Sequence, residues 1–330
     1  MAILSQNAIQ IQIEFFNCQA LQMGKVVFIM FLMVNKAIII TGPTASGKSD
    51  FAHKLALRIN GAIINCDSVQ IYSGIENISA SPFAGQKITE DIDGIPYLLF
   101  SILPLNEHIN VSEYLKLAHD ALDKVIAMGR TPIFVGGTGY YINVLLNGIS
   151  AIPEIDDATR KRARDMVEAD LNAVRKMLGN DFPFTDPQRV ARALEVFLAT
   201  GKQLSDWQRQ PRTGALIGDA YKILVLPPRD VLLNRIARRI PEMIHGGAEM
   251  EAQNIIDNNM DDTRAIGATQ LCKMLRGEIS ERDAIENWTV KTNQYAKRQR
   301  TWFRGQYNAD FTINHIPNDD DVDAIIKQIA

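Results

Sequence analysis

Apolar positions fall into short runs and helical periods that alternate through the first half of the chain. Ile38-Ile39-Ile40, led by Asn35-Lys36-Ala37, reads as a buried strand closed by a glycine turn. Phe51, Leu55 and Ile59 then recur at four-residue steps, the period of an amphipathic helix, and Asn60-Gly61 fits its C-terminal end. Ala62-Ile63-Ile64 predicts a second strand that ends at Cys66-Asp67. A helical period over 111–128 precedes Pro132-Ile133-Phe134-Val135, which runs into Gly136-Gly137. This alternation predicts an α/β fold, a parallel sheet covered by helices on both faces.

From Ile152 to Gly218 the strand signal stops, and the chain is charged and helical, with Arg160, Lys161, Arg162 and Arg164 close together. Tyr221–Leu226 resumes a strand closed by Pro227-Pro228, and helices are expected for the rest, the last beginning near Asp319. The expected organisation is a core of residues 34–151 and 219–330, interrupted by a helical insertion at 152–218. Residues 1–33 show no clear period before the apolar stretch Val26–Val34, which is too short for the roughly 20 residues that a membrane-spanning helix needs. Lys25 is the only basic residue before that stretch, which argues against a signal peptide. We read 1–33 as an upstream extension without a role in the fold, a weak membrane-surface anchor being the alternative.

Composition narrows the class. Of 330 residues, 46% are apolar and 22% charged, which excludes a mainly disordered, collagen-like or multi-span membrane chain. Net charge is −3, so contact with nucleic acid requires a local basic patch. Cys18, Cys66 and Cys272 lie far apart; neither a disulfide framework nor a cysteine-rich zinc site is expected, and a reducing cytoplasm is the simplest setting. The five histidines show no metal-ligand spacing.

The strongest chemical signal is Gly42-Pro43-Thr44-Ala45-Ser46-Gly47-Lys48-Ser49, a GxxxxGK[ST] phosphate loop placed between a strand and an amphipathic helix. Its glycines let backbone N–H groups converge on a phosphate, and the helix N-terminus adds partial positive charge. Lys48 is expected to reach phosphate oxygens and the Ser49 hydroxyl to bind Mg²⁺. An ATPase would usually carry an acid at the end of a further strand to hold the metal, but Val135 leads into Gly136-Gly137-Thr138. The only strand ending in an acid is the second, at Asp67, on the carboxyl edge where open parallel sheets bind ligands. Asp67 there suits a proton acceptor for an attacking group, or else caps a turn. Kinases of small metabolites also place an acid here, so phosphoryl and alkyl transfer both remain open on these residues alone.

Seven segments in order decide between them: GPTASGKS at Gly42–Ser49, DSVQIY at Asp67–Tyr72, GRTPIFVGGTGYY at Gly129–Tyr141, DPQRVARALEVF at Asp186–Phe197, TGKQLS at Thr200–Ser205, GEIS at Gly277–Ser280 and AKRQRTWFRG at Ala296–Gly305. Across residues 36–305 the chain thereby resembles the tRNA dimethylallyltransferases, also called tRNA isopentenyltransferases. The resemblance implies a P-loop-like sheet with a helical insertion, and transfer of a dimethylallyl group from dimethylallyl diphosphate to the N6 amine of the adenosine 3′ of the anticodon (position 37), in tRNAs reading codons that begin with U. It implies that the phosphate loop holds the diphosphate leaving group, helped by Mg²⁺ and by arginines not yet placed. Asp67 is then the base for the amine, with Thr44 and Lys48 beside the reacting centre. The tRNA contacts implied are Asp67, Ser68, Val69, Gln70, Thr138, Arg160, the segment Gln188, Arg189, Val190, Ala191 and Arg192, and Lys297 and Arg300. The chain is expected to work as a cytoplasmic monomer on the tRNA anticodon stem-loop. Prenylation of free adenine nucleotides and a small-molecule P-loop kinase are the alternatives.

Local pattern supports an RNA-facing role for two helices. Asp186-Pro187 reads as N-cap and first helical position, so Gln188, Arg189 and Arg192 leave the first turn together, unless Arg192 pairs with Glu195. Trp288, Tyr295 and Trp302 recur every seven residues and are expected to pack on the core. Asn293, Lys297, Arg300 and Arg304 share another face, and no acid occurs from Thr289 to Ala309. Against the family pattern, Ser73 and Ser81 stand where basic residues are usual, Tyr97 and Leu98 where histidines are usual, and Ala268 where a tyrosine is usual; the insertion is also shorter before Asp186. The missing cations predict a weaker grip on RNA, or an altered tRNA range, with the chemistry kept.

Overall fold

The computed structural model describes residues 36–179, 182–260 and 265–329; the N-terminal extension of residues 1–33 lies outside them. The described chain forms two compact units, one comprising residues up to Ile142 and from Asp219 onward, the other Asn143–Gly218.

The first unit is built on a seven-stranded sheet in the order β3-β4-β2-β5-β1-β6-β7. Its central strands are the apolar runs of the sequence: β1 (Ala37–Thr41), β2 (Gly61–Asn65), β5 (Thr131–Gly136) and β6 (Ala220–Val225). They pair in parallel, with Ile39 opposite Phe134 on one side and Lys222 on the other. Strands buried on both faces need continuous apolar runs rather than alternation, which is why they were legible. Helix α1 (Lys48–Arg58) follows β1, and α2 (Val111–Ala127) precedes β5, begun by a capping box in which Asn110 and Glu113 satisfy each other's backbone N–H groups.

Three short strands complete the sheet. β3 (Asp91–Ile92) and β4 (Ile95–Leu98) make an antiparallel hairpin at one edge, with Tyr97 and Leu98 paired to β2. β7 (Phe311–Ile313) adds to β6 at the other edge, where helices alone had been expected. Strands of two to four residues are too short to show a period, and their partners, not their own pattern, fix them.

On one face Ile38, Ile40, Ile63, Ile133, Ile223 and Val225 pack against Phe51 and Leu55 of α1, together with Val322 and Ile325 of a C-terminal helix, Asp319–Ile329. A second apolar cluster joins α8 (Arg229–Met243), α9 (Glu249–Asp257), α10 (Ala268–Leu275) and α11 (Glu281–Gln306) around Ile240, Leu271 and Trp288. Between α8 and α9 the helical path breaks at Gly247 (φ 124°), within the stretch His245-Gly246-Gly247.

α3 (Gly139–Asn147) leads out of the first unit. The second unit is helical: α4 (Asp157–Ala169), α5 (Leu171–Leu178), α6 (Pro187–Thr200) and α7 (Leu204–Gln208), around Ala163, Val174, Val190 and Leu194.

Candidate active site

The carboxyl ends of β1 and β2 open into a cavity of about 600 Å³ lined by the loop residues Thr44–Ser49, the Asp67–Gln70 turn and side chains of α8 and α11. The loop turns into α1 through Gly47, whose φ of 86° is left-handed and is met by glycine without strain. Long-range contacts then lock the loop. Gln299 of α11, 6% exposed, accepts a hydrogen bond from Thr44 N–H at 2.8 Å and donates to Gly137 O at 2.9 Å. It ties the ends of β1 and β5 to one helix. Arg235 Nε donates to Ala45 O at 2.9 Å, and Arg239 donates to the Thr44 hydroxyl at 2.9 Å.

Lys48, Arg235, Arg239 and Arg298 thus face Asp50 and Asp67 in one cavity, leaving positive charge in excess. Burial pushes the Lys48 ammonium down to about 8; the Asp67 charge opposes this and Arg239 adds to it. The Arg239 guanidinium is likewise lowered, by burial first and then by Arg235. Ser46 Oγ and Arg239 Nε are buried without a hydrogen-bond partner among the described residues. A cationic cradle of this kind is what a polyanion such as diphosphate matches.

Asp67 is held by its own turn. Its N–H donates to Asn65 Oδ1 at 2.8 Å, while Val69 N–H donates to Asp67 Oδ1 at 2.9 Å. One carboxylate oxygen is therefore fixed by backbone, which orients the other. Ser68 N–H donates to the Thr138 hydroxyl at 3.0 Å, and Thr138 N–H donates to Cys66 O. The Thr138 hydroxyl, expected at the RNA, is thus engaged in bracing the Asp67 turn. Gln70 lines the cavity, its amide donating to Ser79 O and Ala80 O at 3.1 and 2.9 Å. That loop is in turn anchored by the buried Glu251 of α9, which accepts from Asn77 N–H, Asn77 Nδ2 and Ile78 N–H.

The cavity continues into an apolar part formed by Val69, Tyr72, Ile240, Ile266 and Trp288. Trp288 packs on the core as expected and is 2% exposed; Tyr295 also lines the cavity, so this face of α11 is both core and site wall. Burial, then the Asp67 charge, raises the Tyr295 phenol. On the neighbouring face Lys297 and Arg304 are exposed, but Arg300 is partly buried and donates to Pro227 O. Its charge is therefore spent in part on the backbone rather than held ready for phosphate.

The remaining RNA candidates lie on the second unit. Asp186 caps α6 by accepting from Arg189 N–H, as expected. Gln188 and Arg189 are exposed, the latter stacked on Phe184 at 5.1 Å. Arg192 pairs with Glu195 at 3.0 Å, the alternative that the spacing had allowed. Val190 and Ala191 are 0% and 6% exposed, in the unit's core, and correct the reading of the whole segment as RNA-facing: helical period turns them inward. Arg160 on α4 is within 3.5 Å of Asp157. Ser81, where a cation was expected, is 5% exposed and accepts from Phe83 N–H, while Ser73 bonds Leu103 O.

Sequence reading missed the positions of Arg235 and Arg239, and missed Gln299 and Glu251. Arg235 and Arg239 are four residues apart on the helix after β6, the strand beside β1, and that spacing was the one available signal.

Comparison with known proteins gives consistent results. A family model described as IPP transferase matches residues 70–306, and one described as Isopentenyl transferase matches 35–99. The chain is similar to a tRNA dimethylallyltransferase of Rhizobium etli (strain CIAT 652), 37% identical over 83% of this chain and 95% of that one. A tRNA dimethylallyltransferase of Rhizobium meliloti (strain 1021) is 40% identical over 82% and 92%. Among solved structures, a tRNA delta(2)-isopentenylpyrophosphate transferase from Staphylococcus epidermidis superposes with a TM-score of 0.63 at 30% identity, covering 89% of this chain and 98% of that one. A eukaryotic dimethylallyltransferase acting on tRNA gives a TM-score of 0.67 at 25% identity, over 82% and 70%.

Proposed function

Because this chain belongs to the IPP transferase family, the tRNA dimethylallyltransferases, we propose that its cavity moves a dimethylallyl group from dimethylallyl diphosphate to tRNA. The acceptor is the N6 amine of the adenosine 3′ of the anticodon, position 37, in tRNAs reading codons that begin with U. A tRNA substrate supports a cytoplasmic setting. Among the described residues no helix is long and apolar enough to cross a membrane.

The observation that carries this reading is the joining of two chemistries in one cavity that Asp67 also lines, a cationic phosphate cradle and apolar side chains. An allylic diphosphate ionises readily because positive charge spreads over its three allylic carbons. The chain's main task is to stabilise the departing diphosphate, for which Lys48, Arg235, Arg239 and the loop N–H groups are preorganised. Thr44, held by Gln299 and Arg239, lies beside the reacting centre. As the C–O bond of the allylic diphosphate breaks, the adenine amine forms the new C–N bond and Asp67 takes its proton. An aromatic amine is a weak nucleophile, so alignment by the cavity walls matters as much as proton transfer. The adenine must leave its stack to enter, which implies base flipping.

The donor set fits Mg²⁺. Ser49 and Asp50, both exposed and both lining the cavity at the start of α1, offer hard oxygen atoms. Among the described residues no group of three or more His, Cys, Asp or Glu is placed to hold a metal, so water and substrate phosphates must complete the shell. When bound, the ion would neutralise charge on the leaving diphosphate.

The test is incubation with labelled dimethylallyl diphosphate and either an anticodon stem-loop or AMP. Label should enter the stem-loop and not AMP, and Asp67→Asn should slow transfer by about 10²- to 10⁴-fold with diphosphate affinity kept. Transfer to AMP alone, or an unimpaired Asp67→Asn enzyme, would overturn the assignment.

A further inference from the structure

Glu251 on α9 is a carboxylate taken out of water, 8% exposed, and the groups that meet it are N–H donors. Its Oε1 accepts from Asn77 N–H at 2.7 Å and from Asn77 Nδ2 at 2.8 Å, and its Oε2 accepts from Ile78 N–H at 2.8 Å. Burying a carboxylate is unfavourable unless hydrogen bonds compensate it. Here it serves to hold two successive backbone N–H groups, because a carboxylate accepts on both oxygens whereas an amide accepts on one. Asn77 is also seated on the break between α8 and α9, where a Cβ on Gly247 would stand 3.1 Å from Asn77 Nδ2.

What Glu251 holds forms part of the site. Ile78, Ser79 and Ala80 line the cavity. The Ser79 and Ala80 carbonyls accept from the Gln70 amide at 3.1 and 2.9 Å, which uses both of its protons and leaves its carbonyl end for a ligand. Gln70 closes the Asp67–Gln70 turn, in which Val69 N–H holds Asp67 Oδ1. A path of hydrogen bonds and backbone thus runs from α9, through the 77–80 loop and Gln70, to the turn that carries Asp67. The phosphate loop has separate supports in Arg235, Arg239 and Gln299.

Resting on the function proposed above, we propose that Glu251 is a positioning residue for the acceptor base. It fixes the 77–80 loop so that Gln70 and Asp67 stand in register with the amine of the extruded adenine. It touches neither substrate, and the diphosphate end of the cavity does not depend on it.

Glu251→Gln keeps the size and shape of the side chain but turns an NH₂ group toward an N–H donor. With saturating dimethylallyl diphosphate, its single-turnover rate on an anticodon stem-loop should fall about 10- to 100-fold, the effect of a small misplacement of the reacting groups. Affinity for an unreactive analogue of the diphosphate should stay at the parent's level. Asn77→Ala removes one of the three bonds and should give a smaller fall of the same kind. Gln70→Leu should also slow transfer, and combining it with Glu251→Gln should cost little more, because both break the same path. Parent-level transfer by Glu251→Gln, or full additivity with Gln70→Leu, overturns the inference. So does a joint loss of melting temperature, diphosphate affinity and rate in Glu251→Gln and Asn77→Ala, which marks a general structural anchor. Should Glu251→Gln not fold, Asn77→Ala decides by the same rate and affinity measurements. If the parent protein does not prenylate the stem-loop at all, the functional reading falls and takes this inference with it; an active parent with an unimpaired Glu251→Gln removes the inference alone.

Discussion

Lys48 gives the phosphate cradle a pH dependence whose sign and size follow from its surroundings. Burial is the largest influence on its ammonium, the Asp67 carboxylate pulls the other way, and Arg239 adds to the depression, leaving a pKa of about 8 against an ordinary 10.5. A bound diphosphate supplies the missing negative charge, so the complex holds the proton to higher pH than the free protein does. Affinity is therefore full below about pH 7 and falls as pH rises through 8. A group of pKa about 8 is roughly nine-tenths charged at pH 7 and one-tenth at pH 9, which predicts about a tenfold weakening between them. The same depression means that the unfolded chain binds more protons between pH 8 and 10.5, so this group makes the unliganded protein more stable as pH rises across that window. Calorimetric titration with an unreactive analogue of dimethylallyl diphosphate, without RNA and at fixed magnesium, measures the affinity. Buffers of different ionisation enthalpy count the protons taken up, close to one-half at pH 8. Lys48→Arg, charged throughout, should flatten the profile. A flat profile from pH 6.5 to 9 in the parent protein, with no proton uptake, would refute the reasoning.

Gln299→Met strands Thr44 N–H and Gly137 O, each costing about 1–3 kcal/mol when buried, so melting temperature and diphosphate affinity should both fall; if neither moves, the clip is not structural. Gly267→Ala places a Cβ on the Trp288 indole in a backbone of φ 107°, and should cost about 2 kcal/mol or more in chemical denaturation, with a changed tryptophan fluorescence. An undisturbed Gly267→Ala protein would show that the turn can relax. For RNA affinity measured against salt, Lys297→Ala should lower the slope by about one unit and Arg300→Ala by less, because Arg300 already bonds Pro227 O; equal slopes would place both on phosphate.

The sequence by itself determined the frame and the chemistry written contiguously. Ile38–Ile40, Ile63-Ile64 and Ile133–Val135 are strands because a run buried on both faces has no other use for so many β-branched residues. Gly42–Ser49 and Asp67 announced a phosphate site because a loop that wraps an anion must place its donors within a few residues. Only the tertiary structure decided who completes the site. Arg235 and Arg239 lie 190 and 195 residues from the loop atoms they hold, and Gln299 lies 255 and 162 residues from its two partners. On their own helices these are ordinary polar residues, since a helical period reports which face is apolar and not what that face will meet. The same limit hid the burial of Val190 and Ala191 inside an RNA-like motif and the tie between Arg300 and Pro227. Periodicity is a property of neighbours in the chain, whereas charge compensation and hydrogen-bond satisfaction are settled by neighbours in space, which come together only when the helices pack.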